Sequence, residues 1–266
     1  MIATPDTAKS DAAKALLDVR GISISFGGLK AVQNFSLALP KGGLYGLIGP
    51  NGAGKTTCFN LLTGVYKPSE GSITLDGVPL VGRKPYEIAE AGLSRTFQNI
   101  RLFAELSVLD NARLGAHVRG RHSFFSTVCR TAFYRGQEKA IRQRAVELLS
   151  IFKLDNRLEE QAKNLPYGDQ RRLEMARALA TEPKVLLLDE PAAGMNPQEK
   201  KELAQTIRGI RDRFGLTILL IEHDMGLVMD ICERITVLDY GQIIAHGPPA
   251  EIQKNPKVIE AYLGAE

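Results

Sequence analysis

The stretch from Gly49 to Thr57, GPNGAGKTT, constrains this chain more than any other. Gly49 followed by Gly54-Lys55-Thr56 has the spacing of a phosphate-binding loop, in which a strand feeds a glycine-rich turn that opens directly into a helix. Leu44 to Ile48 is an apolar run suited to a buried strand, and Thr56 to Thr63 has helical spacing, with Phe59 and Leu62 facing a core. In such a loop, formed by Gly49, Pro50, Asn51, Gly52, Ala53, Gly54, Lys55, Thr56 and Thr57, backbone N–H groups of residues other than Pro50 surround phosphate oxygens. Glycine is needed because a Cβ would hold the phosphate away. Lys55 then reaches the β and γ phosphates, and the Thr56 hydroxyl ligates Mg²⁺.

The rest of the chain bounds this reading. At 266 residues it is long enough to bury a large core without staples. The net charge of +4 is small against 34 basic and 30 acidic residues, so charge alone gives no reason to expect a nucleic-acid partner. Cys58, Cys129 and Cys232 lie far apart with no metal-ligand spacing, which suits a reducing compartment. Residues 1–15 carry Asp6, Lys9 and Asp11 where a signal peptide needs an apolar centre, and read as a loose arm. The longest apolar runs, such as Leu216 to Ile221, are too short to cross a bilayer, so membrane association must come through a partner or a surface.

Taken in order, Val19, Ile22, Ile24, Phe26, Phe35, Leu37 and Leu39 follow a strand period, and Ser72 to Leu75 is a further strand before an Asp76-Gly77 turn. The texture turns helical from Ser107, which heads a capping pattern with Asp110; Leu106 to Leu114 and Ala140 to Phe152 have helical spacing. Residues 113–144 hold eight Arg or Lys against Glu138 alone, with Phe124, Phe125, Phe133 and Tyr134 among them. This reads either as a solvated face or as a surface meeting lipid headgroups or a membrane partner. Beyond Asn164, helices at Gly168 to Ala180, Glu199 to Phe214 and Met225 to Cys232 alternate with strands at Val185 to Leu188, Leu216 to Ile221, Ile235 to Leu238 and Ile243 to Ala245. Asn196 and Pro197 are suited to cap and open the second of these helices. Such alternation predicts a mainly parallel sheet covered by helices.

Val185 to Glu190, VLLLDE, is a buried strand delivering two carboxylates at its C-terminal edge, where open α/β sheets bind ligands. Asp189 is placed to hold Mg²⁺ opposite Thr56, and Glu190 to orient and deprotonate the attacking water. His223 leaves the next apolar strand at the same edge, within reach of a γ-phosphate. Gln98 sits at the junction with the helical part, where an uncharged amide contacts Mg²⁺ or water. Phe26 is a candidate for stacking on adenine, against the plainer reading of a packed aromatic at a strand end.

GPNGAGKTT, Gln98, LPYGDQRRLEMARAL, VLLLDEP and His223, in this order, resemble the ATPase subunits of ABC transporters, over essentially the whole chain beyond residue 17. The Tyr-Gly signature, AAGMNP, LLIEHDM, the long basic insertion and the ending NPKVIEAYLG are similar to the ATPases of branched-chain amino-acid importers. The resemblance implies an α/β fold: a P-loop NTPase (RecA-like) core with an antiparallel β subdomain and an inserted α-helical subdomain. The divisions expected are 16–97 for the β subdomain and first part of the core, 98–165 for the helical subdomain, 166–250 for the signature helix and second part of the core, and 251–266 for a C-terminal helix. It implies ATP and Mg²⁺, permease transmembrane subunits, a second ATPase subunit identical or homologous, and indirectly a solute-binding protein, at the cytoplasmic face of the membrane. Each signature helix closes over the partner's ATP, so Tyr167, Gly168, Asp169 and the neighbouring Arg171 are expected to face a nucleotide held by the facing subunit.

Three positions depart from the family pattern. Leu165-Pro166-Tyr167-Gly168-Asp169 stands where LSGGQ is usual, losing a serine hydroxyl and, at Pro166, an N–H. Asp169 adds an acid where Gln or Glu is common, which suits a helix start but not a nearby phosphate if it faces inward, and Asn196 replaces a usual aspartate. The site completed by this signature is therefore expected to turn over more slowly. Urea or amide uptake and lipopolysaccharide export remain as alternative transport roles. A nucleic-acid-associated ATPase would need two cassettes or a coiled-coil interruption, and a GTPase an Asn-Lys-x-Asp reader; the chain has neither.

Overall fold

A computed structural model describes residues 15–119 and 132–263. Its strands are β1 (Ala15–Phe26), β2 (Leu29–Pro40), β3 (Leu44–Ile48), β4 (Glu70–Leu75), β5 (Val78–Pro79), β6 (Leu93–Arg95), β7 (Val185–Asp189), β8 (Thr217–Ile221), β9 (Arg234–Asp239) and β10 (Gln242–Gly247). Its α-helices are α1 (Lys55–Leu62), α2 (Pro85–Ala91), α3 (Val108–Ala116), α4 (Ala132–Ile151), α5 (Tyr167–Ala180), α6 (Pro197–Phe214), α7 (Met225–Ile231), α8 (Pro249–Ile252) and α9 (Pro256–Leu263). Ala15, assigned above to the loose arm, already belongs to β1; the remainder of that arm lies outside the described residues.

Two sheets carry the fold. One is antiparallel with strand order β2-β1-β4-β5, and the other has order β10-β9-β3-β8-β7-β6, parallel except for β10 at its edge. The spacing of three between Val19 and Ile22, which breaks the strand period, is absorbed by a register shift at Gly21, so both side chains remain buried. In the larger sheet Val185 and Leu187 enter the core shared with the antiparallel sheet and α1, whereas Leu186 and Leu188 enter the core shared with α3, α4 and α5. Both faces are therefore covered, which is why these strands are continuously apolar rather than alternating. Truncating such a side chain to alanine costs about 2–5 kcal/mol, so the sheet is a rigid base for whatever leaves its edge.

The helices begin where their local chemistry says. Ser107 Oγ accepts from the Asp110 N–H at 3.0 Å to cap α3. Asn196 Oδ1 accepts from Gln198 N and Glu199 N at 2.9 and 3.0 Å, while Glu199 Oε2 accepts from Asn196 N, a reciprocal cap in front of Pro197. Pro166 stands before α5 with no side-chain cap, so the first N–H groups of that helix receive nothing from its cap residue.

Four elements were not legible in the apolar pattern: β6, β5, α2 and α8 are too short to show a period. The helix expected from Ala140 begins earlier, at Ala132; the polar run Arg135 to Lys139, RGQEK, interrupts the apolar spacing ahead of Ala140. In the basic stretch, Arg113 pairs with Asp110 and Glu138, and Arg144 with Glu147 and Glu182. These two arginines are thus balanced by acids of the same chain. Phe124, Phe125 and Cys129 lie outside the described residues, and nothing is assigned to the side chains of Phe133 and Tyr134. Among the described residues no helix is long and apolar enough to cross a membrane.

Candidate functional site

Strands β3, β8, β7 and β6 are neighbours in that order, so the segments leaving their C-terminal ends gather at one edge. β3 delivers the glycine-rich loop. Lys55, almost completely buried, donates its Nζ to Gly49 O at 2.7 Å and Pro50 O at 2.9 Å. Burial pushes its pKa down, while Glu190 and Asp189 pull it up. A positive charge thus sits folded back against the loop, facing two carboxylates. Thr56 is exposed at the start of α1, as are Asn51 and Gly52.

β7 delivers the acids. Asp189 is 1% exposed; its Oδ2 accepts from Arg95 Nη2 at 2.5 Å, and its backbone N–H donates to Thr96 Oγ1 at 3.2 Å. Its second oxygen, Oδ1, is buried with no hydrogen-bond partner. Burial raises the pKa of this carboxyl, opposed by Arg95. Glu190 follows with φ at 48°, a left-handed conformation costing a non-glycine residue about 1–3 kcal/mol. The turn holds it there: Glu190 N donates to Ile221 O at 2.8 Å and Ala193 N to Glu190 O at 3.2 Å.

The Glu190 carboxylate is gripped from two sides. His223 Nε2 lies 2.7 Å from Oε1, and Gln98 Nε2 donates to Oε2 at 3.0 Å. An ionised carboxylate only accepts, so the His223 proton resides on Nε2. Three residues proposed from separate segments are therefore brought into direct contact. Beneath them is a residue the sequence reading missed. Buried Glu222 accepts from Ala192 N at 2.7 Å and His223 N at 3.0 Å, tying the turn after Glu190 to the turn bearing His223. Burial raises its pKa. The only sequence signal for it was an acid directly preceding His223 at a strand end.

The signature helix reaches this site within its own chain. Arg171 is 3% exposed and donates to Phe97 O at 2.7 Å, to Gln98 O, and to Tyr167 Oη at 2.8 Å. Glu174 Oε1, one turn further along α5, accepts from Arg101 N at 3.2 Å and Phe97 N at 3.4 Å, and its Oε2 lies 3.5 Å from Arg171. The pair thus holds the Gln98 loop by its backbone, whose polar groups must be satisfied wherever they are buried. Tyr167 is exposed, and its ring lies against Gly194 in the turn after the acids. Asp169 is directed to Arg172 at 3.3 Å and Arg157 at 3.9 Å, so its charge is balanced on its own chain. Gly168 is partly exposed at the helix start. Phe26 is 45% exposed and meets Tyr66 edge-on at 5.1 Å between ring centroids; no contact joins it to the acids.

Residues 32–193 match the sequence profile of the family described as ABC transporter. The chain belongs to the ABC transporter ATPases. A second profile, described as branched-chain amino acid ATP-binding cassette transporter, matches residues 242–266 of this ABC ATPase. It is 51% identical over 250 residues to the high-affinity branched-chain amino acid transport ATP-binding protein LivG of Salmonella typhimurium, covering 94% of this chain and 98% of that protein. Against BraF of Pseudomonas aeruginosa, of the same description, the identity is 43% over 251 residues, covering 94% and 98%. Among solved structures, the ADP conformation of an ATP-binding cassette of an ABC transporter superposes with a TM-score of 0.81 at 30% identity, covering 94% of this chain and 99% of that one. A nucleotide-free ABC transporter cassette gives the same TM-score and identity, covering 93% and 98%.

Magnesium fits the residues of this ABC ATPase. Among the described residues no three His, Cys, Asp or Glu side chains cluster as a metal cage, but Mg²⁺ on a nucleotide takes only one or two protein oxygens and completes its shell with phosphates and water. The unpartnered Oδ1 of Asp189 and the exposed Thr56 hydroxyl offer that set.

Proposed function

We propose that this ABC ATPase energises the import of branched-chain amino acids, acting as one of two ATPase subunits against a membrane-embedded permease. The observation that carries the chemistry is the Glu190 carboxylate held between His223 and Gln98. A general base must be oriented before it can take a proton from water, and two hydrogen bonds leave this carboxylate little freedom. The glycine-rich loop and Lys55 bind the triphosphate of ATP, and Lys55 leaves its carbonyl partners to meet the β and γ oxygens. Phe26 stacks on the adenine. Mg²⁺, held by Thr56 and Asp189, neutralises charge between the phosphates when bound. The uncapped start of α5, with Tyr167, Gly168 and Asp169, is available to a γ-phosphate on a second ATPase subunit.

In this reading residues 16–97 and 166–250 make the β subdomain and core, 98–165 the helical subdomain, and the segment from 251 carries the C-terminal helix α9. Association is peripheral, at the cytoplasmic face, through the permease; the solute meets a separate binding protein, and no nucleic acid takes part. The cargo reading is supported by the relatives' names and by the C-terminal profile.

The test is Glu190→Gln in the complex with its permease partners in membrane vesicles. ATP binding should persist, while hydrolysis and leucine uptake both disappear. Hydrolysis at the wild-type rate would remove Glu190 as the base, and wild-type ATPase activity unstimulated by any branched-chain amino acid with its binding protein would remove the cargo assignment.

A further inference from the structure

Arg95 has no place in the chemistry above, yet it is buried at the sheet edge against one of the two acids. Its guanidinium donates to Asp189 Oδ2 at 2.5 Å and to Asn60 Oδ1 at 2.6 Å. It also lies against the rings of Phe59 at 5.3 Å and Phe97 at 5.2 Å. Both members of the ion pair are nearly inaccessible to water. We propose that Arg95 is a positioning residue for the metal-binding carboxylate: it fixes Asp189 through Oδ2 so that Oδ1, and only Oδ1, is presented to Mg²⁺. This rests on the reading of Asp189 as the magnesium carboxylate.

The physical need is clear from the side chain itself. An aspartate carboxyl rotates in a broad, two-fold well, so a strand end alone does not decide which oxygen faces the cation. Mg²⁺ demands near-ideal octahedral geometry and tolerates little wander in its ligands. A planar, forked guanidinium lying near the rings of Phe59 and Phe97 and tied to α1 through Asn60 supplies a fixed reference that a flexible ammonium does not. The two carboxylate oxygens then differ in their surroundings: one accepts from Arg95, the other is buried and unpartnered. Arg95 also begins the segment that continues through Thr96, bonded to the Asp189 backbone, to Gln98, bonded to Glu190. Four consecutive residues therefore set the orientation of both acids, so a movement of the Gln98 loop reaches the metal ligand and the base together.

The experiment measures ATP binding to the full chain, with and without Mg²⁺, for the wild type, Arg95→Met, Arg95→Lys and Asp189→Asn, alongside the paramagnetic resonance line shape of Mn²⁺ bound with ATP. Removing a group that orients a metal ligand typically weakens metal affinity about 10–100-fold. Arg95→Met should lose about 10-fold or more of the affinity gained on adding Mg²⁺, leave metal-free ATP binding within about twofold, and broaden the Mn²⁺ spectrum. Arg95→Lys, which keeps the charge and carries the test if the methionine variant does not fold, should recover only part of the gain. Arginine variants that fold and match the wild type in Mg²⁺ gain and Mn²⁺ spectrum, while Asp189→Asn loses both, would overturn the role of Arg95 alone. An Asp189→Asn chain with undiminished Mg²⁺ gain would overturn the magnesium reading and this inference with it.

Discussion

Two glycines of the phosphate loop are required for different reasons, and a pair of alanine substitutions separates them. At Gly49, with φ at 151°, an added Cβ would stand 2.0 Å from Leu238 O, a backbone atom of the neighbouring strand β9. Nothing flexible can yield there, so β3 and β9 must separate. An unfavourable backbone conformation and an overpacked contact each cost about 1–3 kcal/mol, which puts Gly49→Ala at about 3–6 kcal/mol once the rigidity of the clashing atom is weighed. At Gly52, φ is 80° but an added Cβ meets nothing within 4 Å. The cost is the left-handed backbone alone, about 1–2 kcal/mol.

For a chain of this size each kcal/mol moves the melting temperature by about 2–4 °C. Gly49→Ala should therefore melt lower by roughly 6–24 °C and Gly52→Ala by roughly 2–8 °C. Gly42→Ala, at φ 83° and equally open, serves as a control for the backbone cost. The order reverses when ATP binding is measured on folded protein. The open space over Gly52 is where a phosphate approaches, so its methyl group should weaken ATP by about tenfold or more, or about 1.4 kcal/mol, while Gly42→Ala binds normally. Equal melting temperatures for Gly49→Ala and Gly52→Ala would refute the contact argument. Unchanged ATP affinity in Gly52→Ala would place the phosphate elsewhere.

Arg171→Met leaves Glu174 buried without its cation and should cost about 3 kcal/mol; because it frees the Gln98 loop, kcat for ATP should fall while KM stays near its original value, and a change in KM alone would contradict the positioning role. Asn196→Ala removes the cap of α6 and should cost about 1 kcal/mol, whereas Asn196→Asp should melt like the wild type; equal melting of all three would dismiss the cap. Burial raises the Glu222 carboxyl above its ordinary value, so the folded chain holds a proton there that the unfolded chain releases. Its contribution to stability is present below the ordinary carboxyl range and lost as pH rises through the raised value, so the melting temperature should climb as pH falls towards the ordinary glutamate range, and a steady fall on that approach would refute it.

What the sequence disclosed about this site, and what it withheld, follows the distance along the chain over which each feature is written. The phosphate loop lies in nine neighbouring residues with its strand and helix attached, and Asp189-Glu190 and His223 each end an apolar run, so all were visible locally. Arg95 and Asp189 are 94 residues apart, and only the order β7-β6 brings them together. Before that order is known, an arginine preceding Thr-Phe-Gln is one more surface charge. The same holds for Arg171 and Glu174: their spacing on α5 was readable, but the Gln98 backbone they hold belongs to another segment. Glu222 hides differently, since an acid beside a histidine looks like part of an exposed turn until the strand end proves buried. Residues that touch nucleotide are concentrated in contiguous loops because phosphate is bound by consecutive N–H groups. Residues that aim them are drawn from whichever strand or helix lies adjacent, which makes their identity a property of topology. Motif reading therefore finds the groups that contact the substrate first and the groups that orient them last, and in this chain β6, the strand too short to show a period, carries the segment that orients both acids.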